Sequence, residues 1–347
     1  MFKSVTIQGF KSIKSQRVDL GRVNILIGGN GVGKSNFLSA FRLAKVVSEG
    51  ELDKWVDDNR GANQVLYLGR KNTSEIRLIF EIERKYGLAL KGIGLGLTEG
   101  ADYLSLAYVD SYLRQSRKSF VESSRVVNDQ IADLFHPLRV YHFVDTGRTS
   151  PIKQKCYVDD NRFLREDGSN LAAVLYFIAR MYPNRFRQIE QSIHEIAPFF
   201  AGFDLLPSRF NNSIIQLSWR QKGASDTYFD AEQLSDGTLR MMCLVTLLMQ
   251  PELPSIILID EPELGLHPAA LALFGALVKK ASRESQIIIS TQSIDIVNMF
   301  SADDIIVSDN AGKETVFTRL SVKDLSKWQN DYTLGELWEK NVFGGNP

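Results

Sequence analysis

Eight consecutive residues, Gly28, Gly29, Asn30, Gly31, Val32, Gly33, Lys34 and Ser35, fit the pattern G-x-x-x-x-G-K-[ST]. Chemically this is a phosphate trap. Glycines let the backbone curl so that successive N–H groups point at one anion. The Lys34 ammonium can then reach the β- and γ-phosphates of a nucleotide, and the Ser35 hydroxyl can ligate Mg²⁺. Asn30, Gly31, Val32, Gly33 and Asn36 complete the set expected around the bound phosphates. A second group, Asp260-Glu261, ends the apolar run 255–259. There one carboxylate can hold Mg²⁺ and the next can act as a general base on an attacking water. An acidic strand end alone is commonly just solvated. In the same chain as a phosphate loop, it reads as the metal-binding and catalytic pair.

These groups need particular elements to position them. The run Val23-Asn24-Ile25-Leu26-Ile27 is apolar on both faces, as a buried sheet strand should be. Apolar residues at helical spacing return over 36–47, so the glycine loop lies between a strand and a helix whose N-terminus faces the anion. Residues 4–10 and 17–28 read as strands, 74–81 and 88–97 as a hairpin, and 103–113 as strand or mixed. Residues 114–136 and 170–200 read as helical, and 213–219 with 227–229 as a second hairpin. From 238 onward an α/β alternation resumes: helix 238–249, strand 255–259, helix 268–282, strand 286–290, helix 293–299, strand 304–308. The tail from 331 carries Trp338 and Phe343 and ends in a loose Gly-Gly-Asn-Pro.

Leu234-Ser235-Asp236-Gly237-Thr238 precedes a helix, ahead of the Asp-Glu strand. Such a turn can simply cap its helix. In this order, it resembles the signature of ATP-binding cassette (ABC) ATPases, in the L-S-D-G-T variant of the RecF/SMC-like type within the AAA family. The resemblance rests on residues 1–70 and 230–310. It implies an α/β fold: an ABC-type P-loop ATPase head, with a RecA-like core, an antiparallel β subdomain and a helical lobe. On that reading 1–347 is a single head, with 1–70 and 230–310 as nucleotide core, 71–229 as β subdomain and helical lobe, and 311–347 as tail. Ser235 and Gly237 would meet a γ-phosphate held by a partner's Lys34, because in the family these two motifs of one chain point apart. ATP and Mg²⁺ are the implied cofactors, with Ser35 and Asp260 as metal ligands and Glu261 as base.

Three further stretches resemble family segments. Gln286-Ile287-Ile288-Ile289-Ser290-Thr291-Gln292 is similar to the switch strand, where a His generally touches the γ-phosphate. Gln292 can donate a hydrogen bond there but cannot relay a proton, which predicts slow turnover. Alternatively, Ser290 and Thr291 cap the next helix and Gln292 is merely exposed. Glu263-Leu264-Gly265-Leu266-His267-Pro268 resembles the D-loop, with Pro268 suited to a first helical position and His267 a packing residue. Gly9-Phe10-Lys11-Ser12-Ile13 resembles the opening turn near adenine and ribose, making Lys11 a binding candidate. The Q-loop has two candidates, Gln64 and the segment 141–146.

Composition narrows the partners. The 347 residues carry 41 basic and 41 acidic side chains, so nothing in the bulk charge indicates nucleic acid. The best basic stretch, 112–120 with Arg125, reads first as a solvated face. Cys156 and Cys243 have no metal-ligand spacing and suit a reducing cytoplasm. No apolar run reaches the roughly 18 residues that span a bilayer. The middle offers no heptads for an SMC coiled coil, and the tail no room for the Toprim nuclease of overcoming-lysogenization relatives. Three readings remain. The first is a homodimerising ATPase switch that regulates a separate effector, such as a nuclease in genome maintenance or anti-phage defence. The others are a RecF-like DNA-binding clamp in recombination or repair, and a transporter's nucleotide-binding subunit needing a membrane partner.

Overall fold

A computed structural model describes residues 1–84, 87–97, 103–113, 135, 138–143, 145–147, 149–325, 328 and 331–345. These group into two compact units. One comprises 1–140, 255–260 and 286–347, the other 141–254 and 261–285.

The first unit is built on two sheets. The strands β1 (Phe2–Phe10), β2 (Ile13–Asp19), β4 (Glu75–Arg84), β5 (Gly87–Leu97) and β6 (Leu104–Leu113) form an antiparallel sheet in the order β2-β1-β4-β5-β6. The predicted strand 17–28 is thus two strands. Around Gly21 the chain leaves this sheet, and β3 (Val23–Ile27) enters the other. That second sheet has six strands in the order β16-β15-β3-β14-β13-β7. Its members are β7 (Arg139–Tyr141), β13 (Ile256–Asp260), β14 (Gln286–Ser290), β15 (Ile305–Ala311) and β16 (Glu314–Arg319), beside β3. The strands β13, β14, β3 and β15 run parallel, and β16 adds an antiparallel edge.

Helix α1 (Lys34–Glu49) follows the glycine loop, and its buried Phe37, Leu38, Phe41, Leu43 and Ala44 pack into one core with residues of both sheets. Each such burial contributes roughly 1.5–3 kcal/mol, so the helix end that faces the loop is held firmly. Gly50, in the left-handed region, ends α1 by donating its N–H to the Val46 and Val47 carbonyls. Two short helices follow, α2 (Leu52–Asp58) and α3 (Ala62–Val65). Residues 114–120 of the basic stretch, Arg125 and most of the predicted helix 114–136 lie outside the described residues, while 112 and 113 end β6.

Among its described residues the second unit holds four α-helices: α4 (Leu171–Met181), α5 (Pro183–Ile196), α6 (Asp236–Met249) and α7 (Pro268–Ala281). The predicted helical stretch 170–200 is therefore α4 and α5, divided at Tyr182, with Pro183 opening α5. Two small sheets accompany them. One pairs β8 (Cys156–Tyr157) with β10 (Ile214–Ile215), and the other has the order β12-β11-β9. Here β9 is Phe200–Phe203, β11 is Ser218–Gln221 and β12 is Ala224–Asp230. Trp219 sits at the centre of its aromatic face, 4.9 Å from Phe229 and 5.6 Å from Phe199 between ring centroids. Among the described residues, no helix is long and apolar enough to cross a membrane.

Three last helices belong to the first unit: α8 (Ile294–Asn298), α9 (Val322–Leu325) and α10 (Leu334–Glu339). The tail is not loose where it is described. Trp338 is fully buried and its indole N–H donates to the Gly345 carbonyl at 3.0 Å. The Gly345 N–H in turn donates to Asp309 Oδ2 at 3.3 Å.

Candidate nucleotide site

The glycine loop leaves β3 and ends at Gly33, whose φ of +100° lies in the left-handed region. A Cβ there would come within 2.4 Å of Thr315 Oγ1 and 2.8 Å of Ser12 Oγ, so only glycine fits. Those two hydroxyls bond to each other at 2.7 Å, and Ser12 Oγ also accepts from the Asn36 amide at 2.8 Å. Ser12 and Thr315 thus back the loop from below. The pattern did not reveal either role, because Thr315 lies on β16, far along the chain.

Lys34 is the first residue of α1 and is only 5% exposed. Its ammonium donates to the Gly28 carbonyl at 2.6 Å and the Gly29 carbonyl at 2.8 Å. A buried cation is costly unless well bonded, and here the loop itself supplies the bonds. Ser35 follows on the same helical turn. The N–H groups of this helix end make the site attractive to an anion.

Asp260 ends β13, separated from β3 by β14 alone. Its neighbour Glu261 has φ +47°, a left-handed conformation rare for a non-glycine residue. Among the described residues, Lys11, Arg60, Leu68 and Asn341 share this property. Such strain costs of order 1–3 kcal/mol per residue and gathers at functional sites. Lys11, Arg60 and Leu68 all line one cavity of about 720 Å³, together with Ser12, Asn36, Gln64 and Lys313. Two sequence candidates, Lys11 and Gln64, therefore line one cavity with Asn36 of the phosphate-loop helix. The Lys11 ammonium donates to Ser39 Oγ at 3.0 Å and Asn59 Oδ1 at 3.2 Å, and lies 5.6 Å from the centre of the Trp55 ring. Burial, and then the nearby Arg42 charge, hold its pKa below the usual lysine range.

In the switch segment, the Thr291 N–H donates to the Leu26 carbonyl of β3 at 3.0 Å. Ser293, rather than Ser290 or Thr291, caps α8, its Oγ accepting from the Ile296 N–H. Thr291 Oγ1 accepts from the Ser293 N–H, and Ser290 is buried in the strand. Gln292 follows directly and is partly buried.

The signature turn lies in the second unit. Ser235 is exposed and caps α6, its Oγ accepting from the Thr238 N–H at 3.2 Å. Asp236 opens the helix, with its carboxylate 3.6 Å from the buried Lys153 ammonium. Gly237 has a packing reason as well as a chemical one: a Cβ would meet the Gly265 carbonyl at 2.2 Å. The D-loop and the signature helix thus touch backbone to backbone. His267 caps α7, with Nδ1 accepting from the Ala269 N–H at 3.3 Å, and Pro268 takes the first helical position as expected. The segment 141–146, the other Q-loop candidate, belongs to this unit through Tyr141, His142, Phe143, Asp145 and Thr146, while Gln64 belongs to the first.

The oxygen donors Ser35 and Asp260 suit Mg²⁺, which keeps several waters and binds through one or two protein oxygens plus phosphates. Among the described residues no three His, Cys, Asp or Glu side chains gather into an all-protein metal cage. The residues present therefore fit a hydrated cation carried with a nucleotide.

A largely parallel sheet with a phosphate loop after β3 and an Asp-Glu pair closing β13 defines an ABC/SMC-like P-loop ATPase. The family described as "AAA domain, putative AbiEii toxin, Type IV TA system" matches residues 23–298, and the chain belongs to it. No curated protein sequence matches the chain. Among solved structures, it is similar to an Smc head bound to the C-winged helix domain of ScpA, with a TM-score of 0.66 and 16% identity, over 94% of this chain and 99% of that one. The SMC head domain from Thermotoga maritima gives 0.51 and 15%, over 92% and 99%. An Smc head with an extended coiled coil, bound to the C-terminal domain of ScpA derived from Pyrococcus furiosus, gives 0.61 and 14%, over 95% and 98%. At these identities the likeness is one of fold.

Proposed function

We propose that this chain binds Mg-ATP and hydrolyses it slowly, closing head to tail with a second copy around two nucleotides and so controlling a separate effector. The observation that carries the reading is Lys34, a buried ammonium at a helix N-terminus inside a loop that tolerates only glycine at Gly33. In this reading Asn30, Gly31, Val32, Gly33, Lys34, Ser35 and Asn36 hold the phosphates, Lys11 lies by the base and ribose, and Gln64 is the Q-loop residue on the same cavity. Ser35 and Asp260 hold Mg²⁺, Glu261 takes the proton of the attacking water, and Gln292 orients that water. The exposed Ser235 at the N-terminus of α6, with the Gly237 N–H, supports a contact to the partner's γ-phosphate. Two-fold sharing of sites makes dimerisation linked to ATP, and γ-phosphate-dependent closure is a standard way to signal.

The family description reads "putative AbiEii toxin, Type IV TA system", and two of the similar Smc heads are bound to a ScpA domain. Both support an output in another protein, with a nuclease in genome maintenance or anti-phage defence as the class the resemblance suggests. The test is native mass measurement of Glu261→Gln with and without ATP, followed by pull-down with the trapped species. A dimer that appears only with ATP is the expected result. A monomer at saturating ATP overturns the shared-site mechanism.

A further inference from the structure

Two hydroxyls at the carboxyl ends of the six-stranded sheet, Ser290 Oγ and Ser308 Oγ, are fully buried and have no hydrogen-bond partner among the described residues. Proteins rarely leave such groups, because a buried polar atom without a partner forfeits the bonds it made to water in the unfolded chain. The two are not placed alike. Ser290 stands in parallel register with Asp260 on one side and Leu26 on the other. Ser308 pairs with Phe317 and has no carboxylate in register.

Strand parity fixes which way Ser290 faces. Side chains alternate along a strand, and register partners on neighbouring strands share a face. Leu26, Leu258 and Ile288 all belong to the core that contains Phe37, Leu38 and Phe41 of α1. Asp260 and Ser290 lie two residues beyond Leu258 and Ile288, so both project to that same face. It is the face covered by the helix that opens with Lys34 and Ser35. Thr291, just past the end of the strand, is different, since its hydroxyl already accepts from the Ser293 N–H and its own N–H donates to the Leu26 carbonyl.

We propose that Ser290 is a further residue of the divalent-cation site, its hydroxyl sharing with Asp260 a water of the hydrated Mg²⁺ that accompanies the nucleotide. The inference rests on the phosphate loop binding Mg-nucleotide. Mg²⁺ surrenders its waters reluctantly, and outer groups that hold those waters tune affinity. A serine hydroxyl can both accept from a bound water and donate to a carboxylate.

The proposal predicts opposite signs for two measurements on Ser290→Ala. Without nucleotide, the melting temperature should rise by about 1–4 °C, because an unsatisfied buried group has been removed. In calorimetric ADP titrations, the Mg²⁺ concentration for half-effect should rise roughly tenfold, while binding in EDTA changes less than twofold. Ser308→Ala should give the thermal gain with no shift in Mg²⁺ dependence. A Ser290→Ala protein with wild-type Mg²⁺ dependence, or one that only loses stability, overturns the role of Ser290 alone. Wild-type protein whose ADP binding ignores Mg²⁺ overturns the phosphate-loop reading and this inference with it.

Discussion

The phosphate loop and the signature turn both place polar groups at a helix N-terminus, yet the chain treats them in opposite ways. The loop is exposed at Asn30 and Gly31 but anchored firmly behind its tip. Lys34 is buried and bonded to its own loop, Gly33 is backed by Ser12 and Thr315, and α1 is pinned by Phe37 and Phe41. At the signature turn Ser235 is exposed, and its Oγ bonds only locally, to the N–H and hydroxyl of Thr238. What is fixed there lies behind it, where Gly237 meets Gly265. A loop that must hold several phosphate charges needs a rigid frame on every side. Under the proposed function, a turn that meets a phosphate carried by a second copy needs only a firm base and an open front.

That contrast can be broken by substitution. The largest effect is expected from Lys34→Ala. Loss of a buried charge-assisted contact should weaken nucleotide binding by roughly 2–5 kcal/mol, at least thirtyfold, and tight binding in a titration with labelled ADP would undo the phosphate-loop assignment. Next comes Glu261→Gln, which should cut steady-state phosphate release roughly 10²–10⁴-fold while ATP affinity stays within a few-fold. Equal losses in both would place Glu261 in binding rather than catalysis.

Ser235→Arg sharpens the comparison from the other side. It should leave ADP binding to the monomer intact and abolish ATP-dependent dimerisation, read by sedimentation. Loss of ADP binding as well would mean that Ser235 serves its own chain's site. Gly237→Ala should instead show up as instability, since its Cβ would press on the Gly265 carbonyl; a drop of roughly 1–3 kcal/mol is expected from overpacking, measured by denaturant unfolding. The smallest change is Gln292→His. A turnover increase of about tenfold is expected if this position meets the γ-phosphate, and an unchanged rate would count against that placement.

The legible parts of the site were those whose chemistry is local. The loop 28–35, Asp260-Glu261, Ser235 as a cap and Pro268 as a helix start each follow from a few adjacent residues, because turn geometry and capping act within a few positions. The helices and strands between residues 236 and 308 were readable for a similar reason, since a buried parallel strand or an amphipathic helix writes its period into the sequence, whereas β16 and the two helices of the tail were not read. The split of 17–28 into β2 and β3 was not readable, because both halves are strand-like and only the change of sheet at Gly21 divides them.

The rest was decided by contacts between distant residues. Ser12 meets Thr315, Gln64 meets Lys11 across one cavity, and Trp338 folds the tail back through Gly345 onto Asp309. No local pattern marks these positions, since a serine or glutamine looks the same whether solvated or lining a site. The strained backbone at Lys11, Arg60 and Glu261 is likewise invisible until tertiary packing imposes it. By itself, then, the sequence determined that a glycine loop stands between a strand and a helix and that an Asp-Glu pair ends a buried strand, because those depend on short-range backbone geometry. Only the tertiary structure decided what surrounds the trap, including Ser290 beside Asp260, because sheet register alone brings strands from opposite ends of the chain together.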